Sequence, residues 1–487
     1  MGVVINQSIK NTIITYFGFG LGAINTLFLF TRFLSDEYFG LITFILSTAN
    51  ILMPLMAFGV NNTIIKFYTT FKTRTSQNSF LTLMLFLPLV IIVPIGFIGV
   101  MGFDAISNWI AKGNQLVKNY VWLIYISAIA FAYFEVFYAW AKVQLQTVFG
   151  NFMKEVFHRL GVMLLLFFLH LNIISVHQLI VGIVVMYIIR TVVMMGYAFS
   201  VKRPVLKFSK INNLSKVLKY TSLIILAGSV ANIILEIDKF MIGHYNLLEQ
   251  VAYYGVAIYI AAVIGVPSRS MYQITSPLTA KYLNENNKYE LQVLYKKSSL
   301  NLFIISGFIF LLIILNINQL YALIPEQFSS GVLVVFLVGL TKLFDNLLGN
   351  NNAILFNSDY YRMVLLQGVF LAVVSVFLNM YFIPIYGIDG AAYATFLSVV
   401  AYNIIKIVFV YLKFKMLPFT TASLKVFSLI LGVGLLFYFW DFPFHPVLNI
   451  ALKSIFIGLS YVGIVYGFNF SDDVSKLINQ FLKRLPF

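Results

Sequence analysis

Residues 12–41 read TIITYFGFGLGAINTLFLFTRFLSDEYFGL. The apolar part of this stretch exceeds about 20 residues, which as a helix covers a bilayer hydrocarbon core of roughly 30 Å. Gly18, Asn25 and Arg32 are spaced at helical intervals, so a glycine, the amide and the guanidinium share one face. Arginine near hydrocarbon costs at least ~2.5 kcal/mol, so this face is predicted to meet a wet cavity, a carboxylate or the headgroups. Snorkelling from the end of the span explains Arg32 equally well.

The composition of the whole chain agrees with this start. Of its 487 residues, 60% are hydrophobic and 10% charged, and the mean hydropathy is +0.90. Water-soluble domains are far more polar, so the chain is predicted to be an integral membrane protein. It contains no cysteine, which excludes disulfides and thiolate metal sites. The net charge of +16 would suggest nucleic acid in a soluble chain, but here we expect no nucleic-acid partner.

Apolar runs of about 18 to 25 residues predict fourteen transmembrane helices. They lie near 12–34, 40–60, 79–103, 116–140, 148–172, 177–199, 216–236, 251–271, 298–316, 331–356, 361–383, 389–411, 423–440 and 448–468. With a cytoplasmic N-terminus, 23 of the 33 lysines and arginines fall in inner segments and three in outer loops. This bias predicts that both termini are cytoplasmic.

The long, lysine-rich connection at 200–219 separates the first six spans from the rest. Six more spans follow to about residue 412, and two are left over. An even number of spans starts the next copy on the same side of the membrane, so any repeat is parallel. We therefore predict an N-terminal six-helix lobe (1–205), a C-terminal six-helix lobe (206–415), two extra helices (416–470) and a cytoplasmic amphipathic tail (471–487).

Signatures of catalysis are missing. The chain has no GxxxxGK[ST] phosphate loop and no HExxH, and its histidines are scattered. We therefore expect no enzyme activity, no cofactor and no metal site.

Charges inside the predicted spans are the main candidates for function, because intramembrane charge usually faces a bundle interior or a cavity. Some can neutralise a neighbour on their own helix. Glu155 and Arg159 are four residues apart, and Lys342 and Asp345 are three apart, so each can form a local pair.

Two arginines lack such a neighbour. Arg190 has no acidic residue within a helical turn on its own span, and Arg32 is followed only by Asp36 at the helix end. A guanidinium in a cavity suits an anionic substrate, since its planar fork matches phosphate bidentately.

The run Gly349 to Asn352 places three consecutive amides inside the tenth span. They cannot all face lipid, so at least one helix face there is wet or packed on polar groups.

Three motifs resemble the polysaccharide, or O-antigen, flippases of the multidrug/oligosaccharidyl-lipid/polysaccharide exporter superfamily. They are TRFLSDEYFGLITF at 31–44, EIDKFMIG at 236–243 and PIYGIDGAAYAT at 384–395. The third has a clear physical sense, because small residues from Gly390 to Ala394 allow close helix packing beside an outer turn.

This resemblance implies an all-α membrane protein with two six-helix bundles around a central cationic cavity, plus two C-terminal helices. It further implies flipping of an undecaprenyl-diphosphate-linked oligosaccharide from the cytoplasmic to the outer leaflet of the bacterial inner membrane, by alternating access. Membrane lipid, a polysaccharide polymerase and glycosyltransferases are the expected partners. Arg32 matches a cavity cation of the family, and the other candidates are chosen by position in this sequence. The predicted substrate-binding residues are Arg32, Asn25, Arg159, Arg190, Lys342, Asn350 and Asn351, and the candidates for ion coupling are Asp238 and Glu135.

Two other functions fit parts of the sequence less well. An ion-coupled exporter of drugs or metabolites on the same scaffold usually needs an acidic cavity for cationic cargo, whereas basic residues outnumber acidic ones within these spans. A membrane polymerase or ligase needs a sizeable outer domain, and the outer connections here, such as 104–118 and 317–330, are short.

The Arg32 assignment yields a test in cells. Arg32→Ala should abolish surface polysaccharide while the amount of protein is unchanged, because the substrate's phosphates lose a cavity cation. Wild-type polysaccharide in this variant would remove Arg32 from the mechanism.

Overall fold

The computed structural model describes residues 2–112, 114–206, 214–245 and 247–482. Every regular element in these ranges is helical, which confirms the predicted all-α membrane class. The chain divides into two compact units, Met1–Gly255 and Val256–Phe487.

The first unit contains thirteen helices and the start of a fourteenth in its described part. They are α1 (Gly2–Ala23), α2 (Phe30–Phe33), α3 (Asp36–Met56), α4 (Val60–Phe67), α5 (Arg74–Phe86), α6 (Leu89–Met101), α7 (Phe103–Ala111), α8 (Gln115–Lys118), α9 (Val121–Lys142), α10 (Val148–Phe152), α11 (His158–His170), α12 (Val176–Val201), α13 (Leu214–Tyr245) and α14 (Leu248–Ala262). Two π-helical segments, Ile24–Leu29 and Met153–Phe157, continue α1 into α2 and α10 into α11.

The second unit holds the remaining nine helices of the described chain. They are α15 (Val266–Asn284), α16 (Lys288–Ile314), α17 (Ile317–Tyr321), α18 (Val332–Leu347), α19 (Asn351–Asn357), α20 (Tyr361–Phe414), α21 (Thr421–Tyr438), α22 (Pro446–Gly467) and α23 (Asp472–Leu482).

Eleven helical stretches of the described chain are long and apolar enough to cross a membrane. One of them, Arg362–Phe414, covers two predicted spans, because the chain turns at Gly387 with φ 59° and ψ −130°. The predicted spans 148–172 and 216–236 are not among the eleven; in the first, Lys154, Glu155 and Arg159 make the helix too polar. The number of fourteen spans therefore stays a prediction.

The turn at Gly387 has the packing expected of its motif. Glycine adopts such a positive φ without a steric penalty. Ala391, Ala392 and Ala394 are fully buried, so the two arms of α20 approach closely.

Helix α9 is the centre of the first unit. It packs against α3, α4 and α12. Its alanines, including Ala128, Ala132 and Ala141, are buried and let these neighbours come close. Its C-terminal half also carries Trp140, the largest fully buried side chain of the described chain. A charged residue on α9 is thereby held in the interior of this unit.

The border between the units differs from the predicted border between the lobes. Helix α13 packs on α3 and α4, which places it in the first unit although it follows residue 206. Residues 207–213, which contain part of the predicted connection, lie outside the described chain. The lobe boundaries at 205/206 and 415/416 stay predictions.

The tail begins as the sequence predicts and is tied to the second unit. The described helix is Asp472–Leu482, and residues 483–487 of the predicted tail lie outside the described chain. Asn301 Nδ2 on α16 donates to Asp473 Oδ2 at 3.1 Å and Ser471 Oγ donates to Asn301 Oδ1 at 2.6 Å. The tail is therefore docked through its first turn.

The close packing at the turn in α20 can be tested by a substitution that adds one methyl group. A Cβ at Gly390 would collide with the backbone carbonyl of Phe382, so Gly390→Ala should destabilise the protein by about 1–3 kcal/mol. Melting of the purified protein in detergent measures this loss. Gly196→Ala on α12 is the control, since no atom lies within 4 Å of its added Cβ. Equal melting temperatures for Gly390→Ala and wild type would contradict the observed packing.

Candidate functional site

A cluster of charged side chains lies inside the first unit, around α9. Glu135 on α9 accepts a hydrogen bond of 2.6 Å from Lys154 Nζ in the π-helical segment Met153–Phe157. Lys142 and Arg190 also interact electrostatically with Glu135. The cluster thus joins residues that are far apart in sequence and lie on three different helical stretches.

The depth of the ion pair follows from the helix ends. Glu135 lies seven residues before the end of α9 at Lys142, which is about 10 Å along the helix. Lys154 lies six residues after the start of α10 at Val148, which is about 9 Å. Both are well inside predicted spans. The Lys154 side chain is nevertheless 43% exposed and that of Glu135 14% exposed. Because a charge at this depth avoids lipid, we infer that Lys154 faces a water-filled cavity.

The first span holds the π-helical segment of Lys154 in place. Gly18 on α1 packs directly on the backbone of Glu155, where a Cβ would collide with the Glu155 carbonyl. Asn25 Nδ2 donates to the Arg159 carbonyl oxygen at 2.8 Å. Asn25 is buried in a π-helical segment of its own. Insertions of this kind recur at functional sites, and here the hydrogen bond connects the π-helical segment Ile24–Leu29 to the first turn of α11, directly after the second π-helical segment.

Arg190 on α12 sits in an aromatic cage. Its guanidinium carbon lies 4.1 Å from the ring centre of Phe134, 4.8 Å from that of Tyr187 and 5.6 Å from that of Phe131. The residue is 7% exposed, and its buried Nε has no hydrogen-bond partner in the described chain. Cation–π contact stabilises the guanidinium without neutralising it. These contacts therefore leave its positive charge in place.

The remaining charges of the cluster are paired locally. Arg159 and Glu155 form the predicted pair at 3.4 Å, and Arg159 Nη1 also donates to the Glu155 carbonyl oxygen. Lys142 Nζ lies 3.8 Å from the ring centre of Tyr138. Four basic side chains and two carboxylates leave the cluster with a net charge of +2. It is suited to hold an anion.

The other predicted basic residues lie elsewhere. Arg32 is exposed, in the last turn of α2. Lys342 is half-buried on α18 and makes no ion pair or hydrogen bond with the described part of the chain. The predicted pair between Lys342 and Asp345 is wrong, because Asp345 Oδ1 instead accepts from Asn403 Nδ2 at 2.7 Å. Asp345 is therefore bonded to Asn403 on α20 and not to Lys342 on its own helix.

The two candidates for ion coupling have different surroundings. Asp238 on α13 is buried and accepts a hydrogen bond of 2.5 Å from the Tyr254 hydroxyl. Glu135 belongs to the charged cluster, as described above.

Two of the three amides in the run are structural in this conformation, whereas Asn352 is exposed and its Oδ1 accepts from Lys406 Nζ at 3.4 Å. Asn350 is buried and its Nδ2 donates to Thr279 Oγ1 at 2.8 Å. Asn351 is 0% exposed and its Nδ2 donates to the Tyr295 hydroxyl at 2.6 Å. Asn350 and Asn351 are therefore packed on polar groups. Neither amide faces a cavity here, so we remove both from the set of substrate contacts that we propose.

Sequence reasoning missed the most accessible cation of the cluster, Lys154. It lies within the predicted span 148–172 but is not among the predicted site residues. Its partner Glu135 is on the preceding span, and no spacing rule connects the two. One part of the aromatic cage of Arg190 could be predicted from the sequence, since Tyr187 and Arg190 are three residues apart and share one helix face.

Comparison with known proteins identifies the family. The chain matches the family model described as "Polysaccharide biosynthesis protein" over residues 5–278, which is more than half of its length. The chain belongs to the polysaccharide biosynthesis protein family. No curated protein sequence matches it.

Solved structures show which fold this member of the polysaccharide biosynthesis family has. The structure of "Lipid II flippase MurJ, inward closed conformation" matches with a TM-score of 0.73 at 14% identity and covers 95% of this chain and 100% of that one. An inward-facing MATE family transporter of the MOP superfamily matches with a TM-score of 0.58 at 15% identity and covers 85% of this chain and 95% of that one. An outward-facing MATE structure gives 0.56 at 15% identity, with the same coverage. The resemblance given by the sequence motifs is confirmed, and at such low identity the structural likeness shows the fold alone.

The role of the amide run in this family member can be tested by stability. Asn351→Ala leaves the buried Tyr295 hydroxyl without its partner, so it should cost about 1–3 kcal/mol of unfolding free energy. Tyr295→Phe should cost a similar amount, and the double variant less than the sum, because both remove one hydrogen bond. Thermal unfolding in detergent measures all three. Unchanged stability with loss of transport in Asn351→Ala would instead indicate a substrate contact.

Proposed function

We propose that this protein moves a polyprenyl-diphosphate-linked oligosaccharide from the cytoplasmic to the outer leaflet of the bacterial inner membrane. The lobes 1–205 and 206–415 would expose the site to one face at a time, with both termini in the cytoplasm. The observation that carries the proposal is the positive cluster around Glu135, inside a member of a polysaccharide biosynthesis family.

The diphosphate is the part of such a substrate that fits the cluster. Each phosphate carries a negative charge, and the cluster has a net charge of +2. Lys154 supplies an accessible ammonium, and Arg190 supplies a guanidinium whose charge no described carboxylate pairs at hydrogen-bond distance. Charge-assisted hydrogen bonds to phosphate are among the strong ones. We include Arg32, Arg159 and Lys342 in the proposal as further cations along the path.

The polyprenyl tail needs an apolar surface that opens to lipid. The second unit has such a groove of about 900 Å³ between α21 and α22. Leu429, Val433 and Ile464 line it, and Gly432 and Gly463 keep it open. We propose that the tail lies along this groove, because it can then stay in an apolar environment while the head group crosses.

The sugars would occupy water between the lobes, where their hydroxyls keep their hydrogen bonds. Glycosyltransferases would supply the substrate on the inner face, and a polymerase would use it on the outer face. For ion coupling we retain Asp238 and Glu135 as the candidate carboxylates.

The alternative, export of drugs or metabolites, is favoured by the MATE fold but not by the charge. A positive cluster repels the cationic cargo for which an acidic cavity is expected. An assay with one anionic and one cationic probe separates the two functions.

The test uses purified protein in proteoliposomes. Undecaprenyl diphosphate carrying a fluorescent monosaccharide is the anionic probe, and its arrival in the opposite leaflet is read by a membrane-impermeant quencher. Lys154→Gln and Arg190→Gln should each slow its movement about ten- to a hundredfold, since a charge-assisted hydrogen bond contributes about 1.5–3 kcal/mol.

Lys72→Gln is the matched control, because Lys72 is exposed outside the spans and should leave the rate unchanged. Ethidium, a cationic probe, should not move. Wild-type rates in both cluster variants, or transport of ethidium alone, would contradict the proposed function.

A further inference from the structure

The most accessible cation of the cluster is already occupied by an anion of the protein. The side chain of Lys154 is 43% exposed, whereas that of Arg159 is 20% exposed and Arg190 is buried. An anion that enters the cavity therefore meets Lys154 first. The Glu135 carboxylate binds this ammonium at 2.6 Å and has no other hydrogen-bond partner in the described chain.

We propose that Glu135 is an internal competitor of the substrate, whose carboxylate occupies the place of a phosphate on Lys154. This inference rests on the proposed function, because it takes the ligand to be a diphosphate. Substrate binding then exchanges one anion for another, and Glu135 is released from its ion pair.

The exchange follows from the chemistry of the groups. Carboxylate and phosphate oxygens accept the same short bond from an ammonium. If both bound Lys154 at once, two negative charges would lie within a few ångströms of each other in a poorly solvated site and repel strongly. Either the carboxylate moves away or it takes a proton from the water of the cavity.

Other charged groups also lie around Glu135, but none takes the place of Lys154 as its ion-pair partner in the described chain. On α9 itself Lys142 and Tyr138 interact with it, and from α12 Arg190 does. The π-helical segment contributes Lys154 and, one residue further, Glu155, which is bound to Arg159. From α3 and α4, which also pack on α9, no charged group acts on Glu135. Neither Lys142 nor Arg190 lies within 4 Å of the carboxylate, so Lys154 is its closest basic partner in the described chain.

Such a competitor would keep the empty cavity from binding phosphate or other small anions of the cytoplasm. A ligand that also engages Arg190 can displace Glu135, whereas a small anion that reaches only Lys154 gains little. Glu135 would thus contribute to specificity by opposing weak ligands.

The experiment measures binding of farnesyl diphosphate to the full-length protein in nanodiscs by calorimetry. Glu135→Gln should tighten binding about tenfold, because the amide no longer neutralises Lys154. Lys154→Gln should weaken it by a similar factor. In the Lys154→Gln background, Glu135→Gln should have a much smaller effect, because the ammonium for which the two anions compete is gone.

A matched variant separates competition for Lys154 from the general electrostatic effect of removing one negative charge from the cluster. Glu155→Gln removes the same charge from the same cluster, but its partner is Arg159. Any effect of this change should persist in the Lys154→Gln background, unlike that of Glu135→Gln. Glu135→Asp, which keeps the charge on a shorter side chain, should give an intermediate affinity and serves if Glu135→Gln does not fold.

The pH dependence provides an independent readout. Protonation of Glu135 removes its negative charge, as Glu135→Gln does. The ratio of the farnesyl diphosphate affinity of Glu135→Gln to that of the wild type should therefore fall toward one as the pH is lowered. The titration of the diphosphate itself is common to both proteins and cancels in this ratio.

The outcomes are distinct. If Lys154→Gln weakens binding but Glu135→Gln and Glu135→Asp do not tighten it, the competitor is wrong and the anion site stands. If Glu135→Gln tightens binding equally in the wild-type and Lys154→Gln proteins, the effect comes from the charge of the whole cluster and the proposed competition is also wrong. If no variant binds the diphosphate, both the competitor and the proposed function fail.

Discussion

A charged side chain at membrane depth needs water, an opposite charge or a polar partner, and this requirement organises the first unit. Helix α9 is buried on nearly all sides, yet it carries Glu135. The carboxylate is tolerated because Lys154 reaches it from the following span. Lys154 in turn lies in the π-helical segment Met153–Phe157, on which Gly18 of α1 packs at Glu155. Asn25 holds the start of α11, just after this segment, through its hydrogen bond to the Arg159 carbonyl oxygen. Packing, backbone irregularity and charge are therefore parts of one arrangement.

The proposed substrate divides in the same way as the protein. Its diphosphate is charged and requires cations, and the first unit provides Lys154 and Arg190. Its tail is apolar and requires a lipid-facing surface, and the second unit provides the groove between α21 and α22. A molecule with one polar and one apolar end matches these two features better than a compact drug does. The family description, polysaccharide biosynthesis, agrees with this chemistry.

The fold was largely predictable because hydropathy and helical period act along a single helix. The pair of Glu155 and Arg159 was predicted for the same reason, as both residues lie on one face of one helix. Glu135 and Lys154 could not be paired from sequence, since nothing in the sequence fixes how adjacent spans rotate against each other. Asp345 shows the same limit, because Asn403 on another helix takes the place of the local partner Lys342. The amides at Asn350 and Asn351 were correctly judged unfit for lipid, but only the packing on Thr279 and Tyr295 shows what satisfies them.

The central claim is that the charges around Glu135 line a wet cavity that opens to one membrane face at a time. The chain has no cysteine, so a single introduced thiol can report on it without background. The most direct measurement is the reaction of Lys154→Cys with a charged, membrane-impermeant thiol reagent in inside-out and right-side-out vesicles. The account predicts that this thiol is modified from one aqueous face of the membrane and is protected from the other. Reaction only with a lipid-soluble reagent, from neither aqueous face, would show a dry interior and contradict the account.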